Sequence, residues 1–303
     1  MRIGAIVPQG WLTEYRGWDD QAAWRRTIEV AQEADRLGFD SIWLYDHFHT
    51  IPRPTDEITF ESFTSLAALA ALTQRVRIGH IVVCTSFRNP ALTAKMISTL
   101  DTISGGRAEL GIGAGWKEEE WLAYGYPFPP VRERLAVLDD HLEVITRMLQ
   151  AGDTERAHFR GTYAWVDGAI NRPKPIQKPR LPIMVGGNGP NVTWRIAARH
   201  ADELNLDGLS PAEVTDALPV IRARCEEIGR DPATLRISVH TWAGWPEVRE
   251  AGSRRIDLYA AYREAGVDRV QTFIESCVDD REALAAFAAD VRAAGATLDG
   301  PLA

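Results

Sequence analysis

The chain has 303 residues, 45% of them hydrophobic and 25% charged, with a formal net charge of −8 at pH 7. That length and balance fit a soluble globular protein of one large domain or two smaller ones. A net acidic surface without any run of Lys or Arg excludes a nucleic-acid or anionic-membrane binder. Three widely spaced cysteines, Cys84, Cys225 and Cys277, form no CxxC motif and read as reduced thiols in a cytoplasmic protein.

The opening "MRIGAIVPQGW" breaks its apolar run at Pro8 and Gly10. It reads as a first strand, not as a signal peptide or membrane span. Residues 2–9 are strand-like and 21–37 helical, ending before Gly38. "SIWLYD" (41–46) is a second strand, with a helix over 61–73. "RVRIGHIVVCT" (75–85) is a third strand, followed by a helix over 90–103 that starts at Pro90. "RAELGIGAG" (107–115) is a fourth, and 131–150 a long amphipathic helix. Strands at 182–187, 202–207, 235–241 and 269–276 then alternate with helices at 190–200, 211–229, 252–265 and 280–294. Eight strands alternate with eight helices and no composition break marks a linker. This predicts a single α/β domain over 1–303, a (β/α)8 TIM barrel, with a doubly wound open sheet as the alternative. The segment 151–180 stands outside the alternation. It is Pro-rich, contains "TYAWV" as one arm of a small hairpin, and has the length of a lid over a site.

In a barrel, chemistry gathers at the C-terminal ends of the strands. Strand two ends in Asp46, His47 and His49 ("SIWLYDHFHT"), which admits a metal site, a proton-handling pair or a purely structural pair. The metal reading fails for want of ligands: the chain has seven histidines, and the other strand ends supply no converging set. "VGGNGP" (185–190), a strand running into glycines and a Pro-initiated helix, is a candidate phosphate cradle built from Gly186, Gly187, Asn188 and Gly189. "GIGAG" (111–115) lacks the context of a dinucleotide fingerprint, and its small residues suit a flat ligand lying on backbone. Ten tryptophans are present. Several of them, Trp116, Trp242 and Trp245 included, follow strand ends where they would line a pocket for a planar cofactor or an apolar substrate.

Three long stretches, "ALTAKMISTLDTISGGRAELGIGAGW" (91–116), "EEEWLAYGYPFPPVRERLAVLDDHLEVI" (118–145) and "RPKPIQKPRLPIMVGGNGP" (172–190), resemble the bacterial-luciferase-like monooxygenase superfamily, in its order and over nearly the whole chain. The details are most similar to its F420-dependent oxidoreductase branch. The resemblance implies a flavin-type ring at the barrel mouth and hydride transfer between coenzyme F420 and a small organic substrate. The alternatives it leaves open are an FMNH2- and O2-dependent monooxygenase, which needs a flavin reductase as partner, and a flavin-binding barrel without turnover. It makes His47 the proton partner, with Asp46 orienting it or touching the cofactor and His49 a bystander. A non-proline cis peptide is implied near Ile81-Val82, Ala114 and Gly115 beside the ring, and the 186–189 loop on its phosphate. Sugar-phosphate dehydrogenases of the branch carry a catalytic Glu where this chain has Trp116. That departure counts against sugar-phosphate oxidation, and Glu118, Glu119 and Glu120 read as the solvated face of a short helix. A homodimer is expected, with the apolar face of 62–72 as a candidate contact.

Overall fold

The computed structural model describes residues 1–300. Its elements run β1 (Arg2–Ile6), α1 (Asp20–Leu37), β2 (Ser41–Leu44), α2 (Ser62–Leu72), β3 (Arg77–His80), β4 (Val83–Cys84), α3 (Pro90–Ser104), β5 (Ala108–Gly113), α4 (Glu118–Ala123) and α5 (Val131–Gln150). The hairpin β6 (Ala157–Arg160) and β7 (Trp165–Ala169) follows, then β8 (Ile183–Gly186), α6 (Thr193–His200), β9 (Glu203–Asp207) and α7 (Pro211–Glu226). The chain ends with β10 (Arg236–Thr241), α8 (Pro246–Arg249), α9 (Ser253–Glu264), β11 (Arg269–Phe273) and α10 (Ala283–Ala293). Segments β3 and β4 are two pieces of one strand, interrupted at Ile81-Val82. The barrel order is β1, β2, β3/β4, β5, β8, β9, β10, β11, all parallel. It closes because β11 pairs with β1, Arg2 opposite Arg269. The TIM barrel expected from the alternation is present.

Local chemistry sets the helix ends. Asp19 caps α1 by accepting from Ala22 N, and Gly38, at φ 87°, terminates it. Asn89 with Pro90 opens α3, and a Ser210/Glu213 capping box opens α7. One boundary differs from expectation: α6 begins at Thr193, not Pro190, because residues 190–192 make a turn closed by Trp194 N donating to Gly189 O.

Strand alternation points every second residue into the barrel, and those residues form three levels. At the base Arg269 is buried among carboxylates: Nη1 and Nη2 donate to Glu109 at 2.7 and 3.2 Å, and Asp40 and Glu203 lie 3.1 and 3.5 Å away. Arg77, Arg236 and Arg2 flank the cluster through Glu109, Glu203 and Asp40. Burial alone would lift the Glu109 carboxyl, but Arg269 overrides it and holds the group at about 2. Above this layer Trp43 lies across the bore. A Cβ at Gly4 or Gly79 would collide with its indole, so those glycines make room for the ring. Its Nε1 donates to Ser41 Oγ at 2.8 Å, and the Arg269 guanidinium sits 5.3 Å from the ring centre. The third level is the mouth.

On the outside of the barrel, His80 packs its ring against Phe63 of α2 and leaves both ring nitrogens without partners among the described residues. Burial holds it down to about 4, against the pull of Asp46, and burial holds His141 near the same value. Unfolded, each ring returns to about 6.5. As pH falls the unfolded chain takes these protons first. Stability is therefore full above about pH 6.5 and decays toward pH 4, by on the order of 3 kcal/mol for His80. Glu109 extends the loss from 4.5 toward 2. His80→Phe should remove roughly half of the loss between pH 6.5 and 4 in urea midpoints; an unchanged slope would assign it elsewhere. Arg269→Met strands buried carboxylates and should cost roughly 3–5 kcal/mol in urea unfolding.

Candidate active site

A cavity of about 460 Å³ opens at the C-terminal ends of the strands. It collects Asp46, His47, Ile81, Val82, Ala114, Gly115, Trp116, Gly186, Gly187, Gly189 and Trp242, eleven of the sequence-derived site residues. Asn188 and Trp245 are not on its wall. None of residues 151–180 lines it either. The β6–β7 hairpin packs on α5 and borders a separate groove, so the lid expectation does not hold.

Asp46 and His47, in the loop after β2, have separate partners. Asp46 is 2% exposed and accepts both Arg88 guanidinium nitrogens at 2.7 and 2.9 Å, Ser62 Oγ at 2.9 Å and Cys84 N at 2.9 Å. Burial works to raise its pKa, but the Arg88 charge outweighs it and leaves the carboxyl below the ordinary range. With its lone pairs committed to Arg88 and the backbone, Asp46 does not orient His47. It fixes the loop after β4 instead.

His47 is oriented by Glu120. Its Nδ1 lies 2.7 Å from Glu120 Oε2, while Oε1 accepts from Phe48 N at 2.6 Å. Glu120 is 1% exposed. The solvated face expected for 118–120 therefore belongs to Glu118 and Glu119 only. Trp121 follows it into the core, and that apolar neighbour was the available signal that the end of "EEEW" turns inward. The imidazole stacks on Trp11, centroids 4.3 Å apart and planes 8° from parallel, and meets the edge of Trp116, which is 57% exposed at the rim. With Nδ1 turned to a carboxylate, Nε2 is the ring nitrogen left without a partner among the described residues. His49 bonds Thr50 O through Nδ1 and Glu120 Oε1 through its backbone N, and it is not on the cavity wall.

The facing wall is made of small residues. A non-proline cis peptide joins Ile81 and Val82, as the resemblance implied. A Cβ at Gly113 would meet Val82 Cγ2 at 2.9 Å, and one at Gly186 would meet Val82 Cγ1 at 3.0 Å, so both glycines let Val82 sink into the wall. Gly115, at φ 77°, has Trp121 and Cys84 where a Cβ would stand. The 186–189 loop closes on Thr193: a Cβ at Gly189 would lie 2.7 Å from Thr193 Oγ1. Asn188 faces the other way. Its Nδ2 donates to Asp207 O at 2.7 Å and its Oδ1 accepts from Asp207 N at 2.9 Å.

A third group is absent from the sequence reading. His240 places Nδ1 2.9 Å from Asp207 Oδ1 and Nε2 3.0 Å from the Tyr45 hydroxyl, and both His240 and Tyr45 line the cavity. The inward alternation of Arg236, Ser238 and His240 was the signal for it. Among the described residues no group of three or more His, Cys, Asp or Glu converges as a metal site.

The luciferase-like monooxygenase profile matches residues 7–297. The chain belongs to that family. Within the family's reach, an F420-dependent glucose-6-phosphate dehydrogenase of Intrasporangium calvum is 32% identical over 253 residues, covering 75% of this chain and 73% of that protein. One of the same description from Kineococcus radiotolerans is 35% identical over 62% of this chain, which spans only 54% of that protein. Among solved structures, an F420-dependent secondary alcohol dehydrogenase in complex with an F420-acetone adduct superposes with TM-score 0.82 at 20% identity, covering 97% of this chain and 98% of that one. A long-chain alkane monooxygenase superposes at 0.77 and 14% identity, covering 98% and 92%. Both share the family's barrel.

The division of roles around His47 has a stability signature. Asp46→Asn leaves Arg88 with only the partly exposed Glu61, at 2.8 Å, as counter-charge and should cost about 3 kcal/mol. Glu120→Gln keeps an acceptor for Phe48 N–H and should cost about 1–2 kcal/mol. Equal losses in urea unfolding would contradict this assignment.

Proposed function

We propose that the chain is an F420-dependent oxidoreductase that passes hydride between the deazaflavin and a small organic substrate. The observation that carries this reading is His47, anchored through Nδ1 on buried Glu120 and facing a wall of small residues, in a family whose matched relatives include F420-dependent dehydrogenases. The wall fits a flat ring: Ile81-Val82, Ala114 and Gly115 would lie along it, and Gly186, Gly187 and Gly189 with Thr193 would receive its phosphate. When bound, the deazaflavin supplies the two-electron hydride chemistry. The chain's part is to position the substrate, exclude water with its tryptophans, and hold a proton at His47 Nε2.

The relatives named above act on glucose 6-phosphate, but this cavity gives that substrate little support. The wall residues from β9, β10 and the loop after β10 are Asn205, Asp207, His240 and Trp242, with no Lys or Arg among them. Of the cavity's two cations, Lys117 reaches Pro52 O and Glu119, and Arg134 donates through Nη1 to Pro129 O while its Nε has no partner among the described residues. An apolar or planar substrate suits the aromatic lining better. The second reading, an FMNH2- and O2-dependent monooxygenase served by a separate reductase, is favoured by the fold shared with the alkane monooxygenase. We also infer a homodimer, supported by exposed Leu72, Leu92 and Ile103 on α2 and α3. A cytoplasmic location is supported by three buried, unpaired cysteines. No helix among the described residues is long and apolar enough to cross a membrane.

Titration with F420 and with FMN, followed by ligand fluorescence, tests the cofactor directly. Micromolar or tighter F420 binding with little FMN response is expected, and the reverse preference would move the chain to the monooxygenase reading. His47→Ala should keep F420 affinity within a few-fold while turnover falls by about 10²–10⁴. Unchanged turnover would remove His47 from the mechanism.

A further inference from the structure

The proton site at His47 leaves a second hydrogen-bonded line at the mouth without a task. It runs across four strand ends: Asn188 in the loop after β8 clamps the backbone of Asp207 on β9, Asp207 Oδ1 meets His240 Nδ1 on β10, and His240 Nε2 meets the Tyr45 hydroxyl just beyond β2. Its two ends differ in environment. Tyr45 is buried against Trp11, ring centroids 4.2 Å apart, and His240 lies under Trp242 at 4.6 Å, whereas the Asp207 side chain is 52% exposed. Burial, reinforced by the charges of Glu14 and Asp207, raises the Tyr45 phenol well above its ordinary value. The phenol therefore stays protonated and donates to His240 Nε2, while Nδ1–H donates to Asp207. Among the described residues the Tyr45 hydroxyl has no other partner, so its lone pairs are open to a ligand on the cavity wall it helps form.

A purely structural role needs a partner on each ring nitrogen of a buried histidine, and Asp207 and Tyr45 supply both. That role does not account for the open lone pairs of a tyrosine in the wall of the same cavity that holds His47. We propose that Tyr45 receives the hydroxyl group of the substrate, with His240 and Asp207 as positioning residues that carry its proton to solvent, and that the substrates are alcohols and carbonyl compounds with an apolar body. This deepens the F420 reading and rests on it. In the oxidative direction a bound oxidised deazaflavin would accept the electron pair of the carbinol C–H bond as hydride, and the carbinol would become a carbonyl. The substrate O–H bond breaks toward Tyr45 Oη while the phenol proton moves to His240 Nε2. The imidazolium, held by Asp207, returns one proton to water at the exposed edge of that carboxylate. His47 on Glu120 then remains free for the proton exchanged on the cofactor side.

Two measurements on the intact chain test this. Long-range proton–nitrogen spectra of the cofactor-free protein should show His240 protonated at Nδ1 with an acceptor-type Nε2. Cyclohexanone should shift the Nε2 resonance in wild type and not in Tyr45→Phe; a His240 ring indifferent to the ketone overturns the proposal. With F420 bound, cyclohexanol and 1-phenylethanol should support reduction and glucose 6-phosphate should not. Tyr45→Phe and His240→Ala should lower kcat by about 10²-fold or more with KM and F420 affinity within a few-fold, and imidazole should partly restore His240→Ala. Wild-type kcat in both variants, or oxidation of glucose 6-phosphate in preference to the alcohols, overturns it. Failure to bind F420 counts against the cofactor reading, whereas the ketone response is read without cofactor and separates the two failures.

Discussion

The constraint on which the rest depends is the balance of charge at the closed end of the barrel. Three carboxylates, Asp40, Glu109 and Glu203, are buried there, and Arg269 is the residue that reaches all three. Buried ions carry a desolvation cost of several kcal/mol each, so the arrangement stands only while every partner is in place. Because these side chains come from β2's approach, β5, β9 and β11, the cluster also ties strands far apart in sequence into one register. A slip of one residue in any of them would turn a charge outward and an apolar residue in.

The mouth inherits that register. Inward positions above the base carry Trp43 and Tyr45 on the β2 side, Asn205 and Asp207 on β9, and Ser238 and His240 on β10, the last four standing two and four residues beyond Glu203 and Arg236. Asn205 Nδ2 bonds Ser238 Oγ and Gln271 Oε1 at mid-height. The functional groups are thus the last members of the same alternating series that begins with the ion pairs. Their spacing is fixed mainly by the barrel wall, with Asn188 of the loop after β8 holding the Asp207 backbone. This is how a half-exposed aspartate and a buried tyrosine come to share one imidazole.

Much of this was legible in the sequence, and the limit falls at a definite physical boundary. Alternation of β and α patterns gave the barrel, and glycines and Pro90 marked strand ends and helix starts, because those signals are local. Partner choice is not local. Asp46 finds Arg88 across 42 residues and His47 finds Glu120 across 73, so adjacency in "DH" suggested a pair that the fold separates. Glu120 looked like its neighbours because three consecutive glutamates differ only in which one the helix turns inward. Asn188 looked like part of a phosphate loop because Asn is common in turns, yet its amide is used on Asp207. The length of 151–180 suggested a lid, whereas its hairpin satisfies its own backbone against α5.

Trp43 has a consequence for how such a chain diversifies. Laid across the bore, the indole separates most of the salt lattice beneath from the chamber above. Residues around the chamber can be exchanged with little effect on the ion pairs below, Asn205 excepted, because it donates to Gln271 Oε1 and Gln271 Nε2 donates to Glu203 at 3.3 Å. Selection for a new substrate and selection for a folded barrel therefore act on two largely separate sets of residues carried by the same strands.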